Sequence, residues 1–170
     1  VIPSEIDGAA VTHIDDRIFS GTDVISVTIP STVTSLYDQT TFIGCTTLER
    51  IDVDPDNTAY SSIDGVLFQG DRLLVVPAAY PVSDYTVPDG TASLNMFILQ
   101  DNTTVRSITI PSSVTSIDPT SFTTGCKLEE IVVDPDNTAY SSIDGVLCSK
   151  DGTRLISVPN GMTGGYTVPE

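Results

Sequence analysis

The sequence contains no tryptophan, one histidine, two methionines and three cysteines among its 170 residues. Basic residues are also scarce: 7 lysines and arginines stand against 23 acids, which gives a net charge of −16. So acidic a chain is poorly suited to bind nucleic acid or an anionic membrane. It also lacks any run of about 18 apolar residues, so no membrane-spanning helix is predicted. The acids are scattered singly or in pairs, and we interpret most of them as solvated side chains.

The few histidines and cysteines limit metal chemistry. A protein-bound metal needs clustered ligands, and His13 is the only histidine, so we predict no metal site and no cofactor. Cys45 and Cys126 occupy equivalent places in two copies of a repeat, while Cys148 stands where the first copy has Phe68. A cysteine that alternates with phenylalanine is usually a small buried apolar residue. We therefore predict three free buried thiols and no disulfide.

Catalytic motifs are missing as well. The sequence has no G-x-S-x-G elbow, and Gly164-Gly165 is not followed by the lysine and Ser/Thr of a phosphate-binding loop. With one histidine, a hydrolase would need a carboxylate pair, and none is recognisable. We predict that the protein is not an enzyme and has no catalytic residues.

What the chain does have is a long internal repeat. Residues 53–67 read VDPDNTAYSSIDGVL, and residues 133–147 read the same letters, 80 residues further on. This predicts one solenoid over residues 1–170, with long repeats at about 11–91 and 92–170. The chain opens on VIPSEIDG and stops at YTVPE, both inside a repeat, so we expect a fragment of a longer array.

A shorter repeat lies within the long one. Segments 11–19, 33–42, 92–99 and 114–122 each place a potential helix-capping residue shortly after an apolar residue. Asp and Asn at such places accept hydrogen bonds from the free N–H groups of a helix start, and Pro119 suits the first helical position. We therefore predict a short strand followed by a short helical turn, capped by Asp15, Asp38, Asn95 and Asp118.

A second pattern follows each of these segments. Residues 24–29, 48–53, 105–110 and 128–133 carry apolar residues at the first, fourth and sixth places. Alternation at places four and six predicts a strand with one buried face. Strand and turn recur every 22 residues, from Val11 to Val33 and from Ala92 to Val114. A repeat this short buries its apolar side only by stacking on its neighbours, which predicts parallel, in-register strands.

The duplicated stretch interrupts this rhythm. Asp64-Gly65 and Asp144-Gly145 predict turns or bulges that need a positive φ at glycine. Two apolar runs around QGD, or around SKDGT in the second copy, then predict a β-hairpin. The hairpin inserts are predicted at about 54–88 and 134–169.

These motifs resemble a known family. The strings IPSTVTSL and IPSSVTSI, the Phe-to-Cys spacing that follows them, and the DPDNTAYSSIDGVL insert resemble the BspA-like leucine-rich repeats of bacterial surface proteins, over essentially the whole chain. Two departures are Thr22, where the family often has Cys, and residues 94–105, which lack both the Phe and the Gly-Cys. The resemblance implies a curved right-handed solenoid at a cell surface, acting in adhesion or ligand binding, without catalytic residues. The expected fold is a β-rich α/β leucine-rich-repeat superhelix with short strands, short helical turns and inserted β-hairpins.

The candidate binding surface is the outer side of the strand stack. If places one, four and six point inward, places three and five point outward and form a polar ribbon. Rigid solenoid faces of this kind bind proteins, although a merely solvated sheet face would have the same pattern. The residues concerned are Ser26, Thr28, Arg50, Asp52, Ser107, Thr109, Glu130 and Val132.

A calcium loop is the weaker alternative. Asp52, Asp54 and Asp56 alternate as at the start of such a loop, because Ca²⁺ takes six to eight oxygen ligands. However, Val132 replaces Asp52 in the second copy, and Ile63 stands where a closing Glu would fall. We favour an Asx turn, in which the side chain bonds to its own backbone.

Tyrosines are the only candidates for a glycan platform. Tyr60 and Tyr140 are equivalent, as are Tyr85 and Tyr166, and such recurrence argues first for packing. Asn102 begins a glycosylation sequon, NTT, a short pattern with many chance matches.

Taken together, the residues and the resemblance favour a secreted, extracellular, non-enzymatic binding module for a host or matrix protein at a cell surface. The alternatives are a structural spacer or display stalk in a surface or multi-enzyme assembly, and a glycan-binding module.

Overall fold

The computed structural model describes residues 1–37, 40–123, 125–164 and 166–167. These contain seventeen β-strands and no helix. In chain order the strands are β1 (Glu5–Ile6), β2 (Ala9–Ala10), β3 (His13–Ile14), β4 (Ser26–Ile29), β5 (Ser35–Leu36), β6 (Arg50–Val53), β7 (Ser61–Ile63), β8 (Val66–Gln69), β9 (Arg72–Val75), β10 (Asp84–Thr86), β11 (Ser93–Leu94), β12 (Ser107–Ile110), β13 (Ser116–Ile117), β14 (Glu130–Val133), β15 (Tyr140–Ile143), β16 (Val146–Ser149) and β17 (Leu155–Ser157).

The three- and four-residue strands of the short repeats stack in parallel on one side of the molecule, which we call the long-strand face. It consists of the pair β4–β6 and the three-stranded sheet β10–β12–β14. The pairing is in register: Val27 lies opposite Ile51, and Ile108 lies opposite Ile131. The prediction of parallel, in-register stacking is confirmed.

A second stack, the short-strand face, closes the solenoid. It consists of the pair β3–β5 and of β9, β11 and β13, which pair in parallel within a five-stranded sheet. The whole is a β-solenoid of about five turns with the leucine-rich repeat fold. No helix in the described part of the chain is long and apolar enough to cross a membrane.

The core lies between the two faces. The predicted inward places are buried in most turns, and only Val24 and Val53 are half-buried. Each such Val, Leu or Ile stabilises the fold by about 1.5–3 kcal/mol relative to an exposed side chain. The buried set is Leu48, Val105 and Leu128 at place one, Val27, Ile51, Ile108 and Ile131 at place four, and Ile29, Ile110 and Val133 at place six.

The duplicated stretch forms antiparallel units. β7, β8 and β9 pair in sequence, as do β15, β16 and β17. Asp64 (φ 52°) and Gly65 (φ 85°) make the two-residue turn between β7 and β8, with the two positive φ angles of a type I′ hairpin. The predicted positive φ at this glycine is confirmed. Because β9 also pairs with β11, the unit is part of the short-strand face.

The predicted helical turns are wrong, and with them the α part of the expected fold class. The segments make single turns with i+3 hydrogen bonds, such as Ser20 N to Arg17 O and Gln100 N to Phe97 O. Arg17 and Phe97 both have φ 56°, and a left-handed residue prevents an α-helix from continuing.

The predicted helix caps have other roles. The Asp118 Oδ1 atom accepts hydrogen bonds from Thr120 N at 2.8 Å and from its hydroxyl at 2.5 Å, which makes an Asx turn. These hydrogen bonds lower the pKa of the Asp118 carboxyl. Asn95 is buried and accepts a hydrogen bond from the Arg72 guanidinium. Asp15 is exposed, and Asp38 lies outside the described residues.

The three cysteines are free and buried, as predicted. The Cys45 thiol donates to Phe19 O at 2.9 Å, and the Cys126 thiol donates to Phe122 O at 3.1 Å. Burial raises the pKa of each thiol. They act as small apolar residues of the core.

One buried side chain joins successive turns of the solenoid. The Asn137 amide nitrogen donates to Pro111 O and Val114 O in the preceding turn, and its oxygen accepts from Ala139 N and Tyr140 N. Asn57 makes the same four bonds in the first copy, to the corresponding residues. The division of the chain into long repeats at 11–91 and 92–170 stays a prediction.

We expect Asn137→Ala to lower the free energy of unfolding by about 3 kcal/mol, because it leaves four backbone groups without partners, two of them buried. Asp136→Ala, at the exposed neighbouring position, is the control and should cost less than about 0.5 kcal/mol. Chemical denaturation of both variants measures the difference, and equal midpoints would contradict the role given to Asn137.

Candidate functional site

The predicted outward residues lie on the long-strand face. Strands β4 and β6 set Ser26 opposite Arg50 and Thr28 opposite Asp52. Strands β12 and β14 set Ser107 opposite Glu130 and Thr109 opposite Val132. All eight are exposed or half-buried, and Val132 is 37% exposed.

The face is interrupted between β6 and β10, which belong to different sheets. The Asp64-Gly65 turn lies beside β6, since Ile51 N donates to Gly65 O at 2.8 Å. Gly145 O accepts from Ile131 N in the same way, beside β14. The eight residues therefore form two ribbons, one on each side of the first duplicated unit.

Strand β10 extends the second ribbon by two residues that the sequence reading missed. Asp84 lies opposite Ser107, and Thr86 lies opposite Thr109. The sequence contains a signal for this strand, because the apolar Tyr85 and Val87 alternate with Thr86 and a proline follows, as at the other strand ends. Both apolar residues are buried in the structure.

Charges on the long-strand face are partly paired. Arg50 donates to both carboxylate oxygens of Asp52, at 2.9 and 2.6 Å, and this bond raises the pKa of the guanidinium. Arg106 lies 3.4 Å from Glu129. Five acids have no ion pair within the described ranges, so the face is acidic: Glu49, Asp64, Asp84, Glu130 and Asp144.

A surface groove of about 310 Å³ lies at the interruption. Glu49, Arg50 and Asp64 supply its charged side chains, and Tyr80 and Pro81 its apolar ones. The Tyr80 ring meets the buried Tyr85 ring edge-on, with centroids 5.6 Å apart, which fixes this side of the groove. Charged and aromatic groups are thus brought together at one place on the long-strand face.

The three candidate calcium ligands are used otherwise. Asp52 binds Arg50, and Asp54 Oδ1 accepts a hydrogen bond from Asp56 N at 2.9 Å. Asp134 makes the same bond with Asp136 N, so both copies have the Asx turn that the sequence favoured. No group of three or more His, Cys, Asp or Glu residues is placed to hold a metal ion in the described part of the chain.

The repeated tyrosines pack inside the solenoid. The Tyr60 and Tyr140 hydroxyls accept hydrogen bonds from Leu36 N and Ile117 N of the preceding turn. Tyr85 is buried, and Tyr166 is half-buried. These rings are not presented as a flat platform for a glycan.

The sequon asparagine is also buried. Asn102 has no exposed surface, and its amide nitrogen donates to Pro77 O at 2.7 Å. Its oxygen accepts from Val105 N at 2.8 Å. The folded protein therefore does not present Asn102 for glycosylation.

Comparison with known families matches residues 5–75 and 78–149 to six copies of the BspA type leucine rich repeat region. Among curated proteins, none matches the chain.

Two solved structures are similar in sequence and fold. A leucine rich cell surface protein from Faecalibacterium prausnitzii A2-165 is 28% identical, with a TM-score of 0.61 over 71% of this chain and 32% of its own. The pneumococcal vaccine antigen PcpA is 26% identical, with a TM-score of 0.65 over 74% of this chain and 32% of its own. The chain thus spans about a third of the length of these proteins.

A third structure supports the fold alone. A leucine-rich repeat protein from Eubacterium ventriosum ATCC 27560 is 19% identical, with a TM-score of 0.56 over 89% of this chain and 52% of its own.

We expect Gly65→Ala to destabilise the protein more than Gly70→Ala. Both glycines have a positive φ, which costs a residue with a Cβ about 1–2 kcal/mol. A Cβ at Gly65 would also meet the Arg50 Cβ at 2.8 Å, whereas nothing lies within 4 Å of one at Gly70. The extra loss at Gly65 should be at least about 1 kcal/mol. Urea unfolding of the two variants measures it, and equal losses would show that the close approach to β6 is absent.

Calcium should not change the melting temperature. Asp54 already satisfies a backbone N–H, and Asp52 is held by Arg50, so the loop is complete without an ion. Thermal unfolding with excess calcium and with a chelator tests this. A higher melting temperature with calcium, lost in Asp54→Asn, would instead establish a site.

Proposed function

The chain belongs to the BspA-type leucine-rich repeat family, and on that premise we propose that it is an extracellular, non-enzymatic module that binds a protein ligand through its long-strand face. The ligand is a host or matrix protein, and the role is adhesion at a cell surface. The names of the two similar solved structures, a cell surface protein and a vaccine antigen, support this location.

The observation that carries the proposal is the parallel register of the outward residues. Because β10, β12 and β14 pair residue for residue, Asp84, Ser107 and Glu130 form a straight row across three turns. The spacing of this row is fixed by the distance between strands. The face therefore does not have to become ordered when a ligand binds, which lowers the free-energy cost of binding.

The charge of the face indicates what it would bind. The five acids without ion pairs favour a ligand with a basic surface, since complementary charge speeds association and excludes acidic competitors. The groove beside those acids is lined by the exposed Pro81 and by Tyr80, which is only 8% exposed.

A structural spacer or display stalk is the second candidate. Its support is the side-chain bonding between turns, which Asn57 and Asn137 repeat in the same form and which would stiffen an array. Glycan binding has less support, since Tyr60 and Tyr85 are buried and Tyr140 and Tyr166 are half-buried.

The test is binding of the purified chain to immobilised extracellular matrix proteins and to a glycan array. For any matrix protein that binds, Glu130→Arg should weaken affinity at least about tenfold, because it reverses a charge in the row. Asp71→Arg, the same charge change on the exposed turn between β8 and β9, is the matched control and should bind as the parent does.

Added salt should weaken the interaction, since it screens charge pairs at the surface. An equal loss of affinity in Glu130→Arg and in the control variant would show that the ligand binds outside the long-strand face. Binding to none of the matrix proteins or glycans would reject recognition and leave the spacer.

A further inference from the structure

Strand β10 begins the sheet β10–β12–β14, and it has a free edge in the interior of the array. It pairs with β12 on one side, and among the described residues no strand pairs with its other side. That side faces the interruption, with β6 and the first duplicated unit across the gap. Further turns of the solenoid, added before residue 1 or after residue 170, would therefore not cover this edge.

The hydrogen bonds of β10 show which backbone groups are free. Ser83 O accepts from β12 at 3.1 Å, and Val87 N donates to β12 at 3.0 Å, so alternate residues from Ser83 to Val87 face that strand. Because backbone groups alternate in direction along a strand, the N–H and C=O groups of Asp84 and Thr86 point to the gap. None of these four groups has a hydrogen-bond partner in the part of the chain that the structure describes.

The duplicated units cover other strands of this face but not β10. Strand β6 also has no strand on one side, but Ile51 N donates to Gly65 O at 2.8 Å and Val53 N donates to Ser62 Oγ at 3.0 Å. Strand β14 makes the same two bonds to the second duplicated unit. The outward N–H groups of these strands are thus satisfied within the chain, whereas those of β10 are open to a ligand.

The groove of about 310 Å³ at the interruption lies beside this edge. Its lining includes Arg50 of β6 and also Tyr80, whose ring meets that of Tyr85 in β10. The groove therefore extends from β6 towards β10, and its volume is at the lower end of the range for ligand sites, about 300–1,000 Å³. Asp84 and Thr86 are both exposed, so a ligand can reach the free edge.

The charge around the gap indicates what kind of segment would enter it. Arg50 is already bonded to Asp52. Three exposed acids near the gap have no ion pair in the described ranges: Glu49, Asp64 and Asp84. Side chains alternate in direction along a strand, so a segment with lysine or arginine at every second position presents all its charges on one side. Such a segment complements the acids while its backbone pairs with β10.

We propose that an extended basic segment of the protein ligand adds as a further strand to the free edge of β10, an inference that rests on the proposed function of the long-strand face. Asp84 and Thr86 supply four main-chain hydrogen bonds, and the acids around the gap select lysine or arginine at alternate positions. Addition of a peptide strand to an exposed sheet edge is a general mode of recognition, in which main-chain bonds give affinity and alternate side chains give specificity.

Titration calorimetry of the purified chain with a capped octapeptide of alternating lysine and valine tests the proposal. Thr86→Pro should weaken binding at least about fivefold, because it removes one donor from the edge and leaves the peptide carbonyl unpaired. Thr86→Val keeps the N–H group, so it is the matched control and should bind as the parent does. Circular dichroism of both variants should match the parent, since Thr86 N takes no part in the pairing with β12.

Methylated peptides test the same contact without changing the protein. The N–H groups of an extended strand point alternately to its two edges, so the lysine nitrogens face one edge and the valine nitrogens the other. One octapeptide is methylated at every lysine nitrogen of the backbone and a second at every valine nitrogen. One of the two should lose binding to the parent chain, and the other should bind as the unmodified peptide does.

Three results would overturn the proposal: no binding of the unmodified octapeptide, equal affinities of the two methylated peptides, or equal binding by Thr86→Pro and Thr86→Val. The proposed function can fail separately. A matrix protein whose binding is weakened by Glu130→Arg but not by Thr86→Pro would support the proposed function and reject strand addition. If no matrix protein binds, the proposed function is rejected, and a difference between the methylated peptides would still establish strand addition to β10.

Discussion

A turn of this solenoid can satisfy its buried backbone groups only through the turns on either side of it. The strands are two to four residues long, too short to be stable in isolation, and each relies on parallel partners. Asn137 and Asn102 extend the same dependence to places where no strand pairs, by reaching carbonyls of the preceding turn. A buried carbonyl left without such a partner costs as much as a lost hydrogen bond. This constraint accounts for the asparagine of the fifteen-residue stretch, which makes the same four bonds in both copies.

The repeated sequence predicted those parts of the fold in which burial or an unusual backbone conformation restricts the choice of residue. Alternation at places four and six identified inward residues such as Ile51 and Ile108, and Asp64-Gly65 indicated its turn because few other residues accept positive φ. The helical turns were wrong because an Asp that can cap a helix serves equally in an Asx turn, as Asp118 does. In segments 11–19 and 92–99 the helix is prevented by the positive φ of Arg17 and Phe97. Neither residue type is common in the left-handed conformation, so the sequence did not predict it.

On the candidate site, sequence reasoning predicted parallel strands in register but not the interruption of their stack. Alternation put Arg50 and Glu130 on the outer side of their strands, yet the interruption between β6 and β10 depends on where the Asp64-Gly65 turn folds back. The structure also gives the differences between copies a physical meaning. Arg50 and Asp52 form an ion pair, and the second copy replaces both together, with Glu130 and Val132. The two ribbons therefore differ in charge while sharing the same backbone.

Because Asn102 is buried, its glycosylation and the folding of the chain around it exclude each other. Its amide already bonds to Pro77 O and Val105 N, and a glycan on that nitrogen would remove a donor and add a bulky polar group to the core. A secretory pathway that glycosylates chains as they emerge would reach this sequon before the next turns cover it. In a host with such a pathway Asn102 is either glycosylated or buried in the fold, and an unmodified Asn102 would show that folding came first.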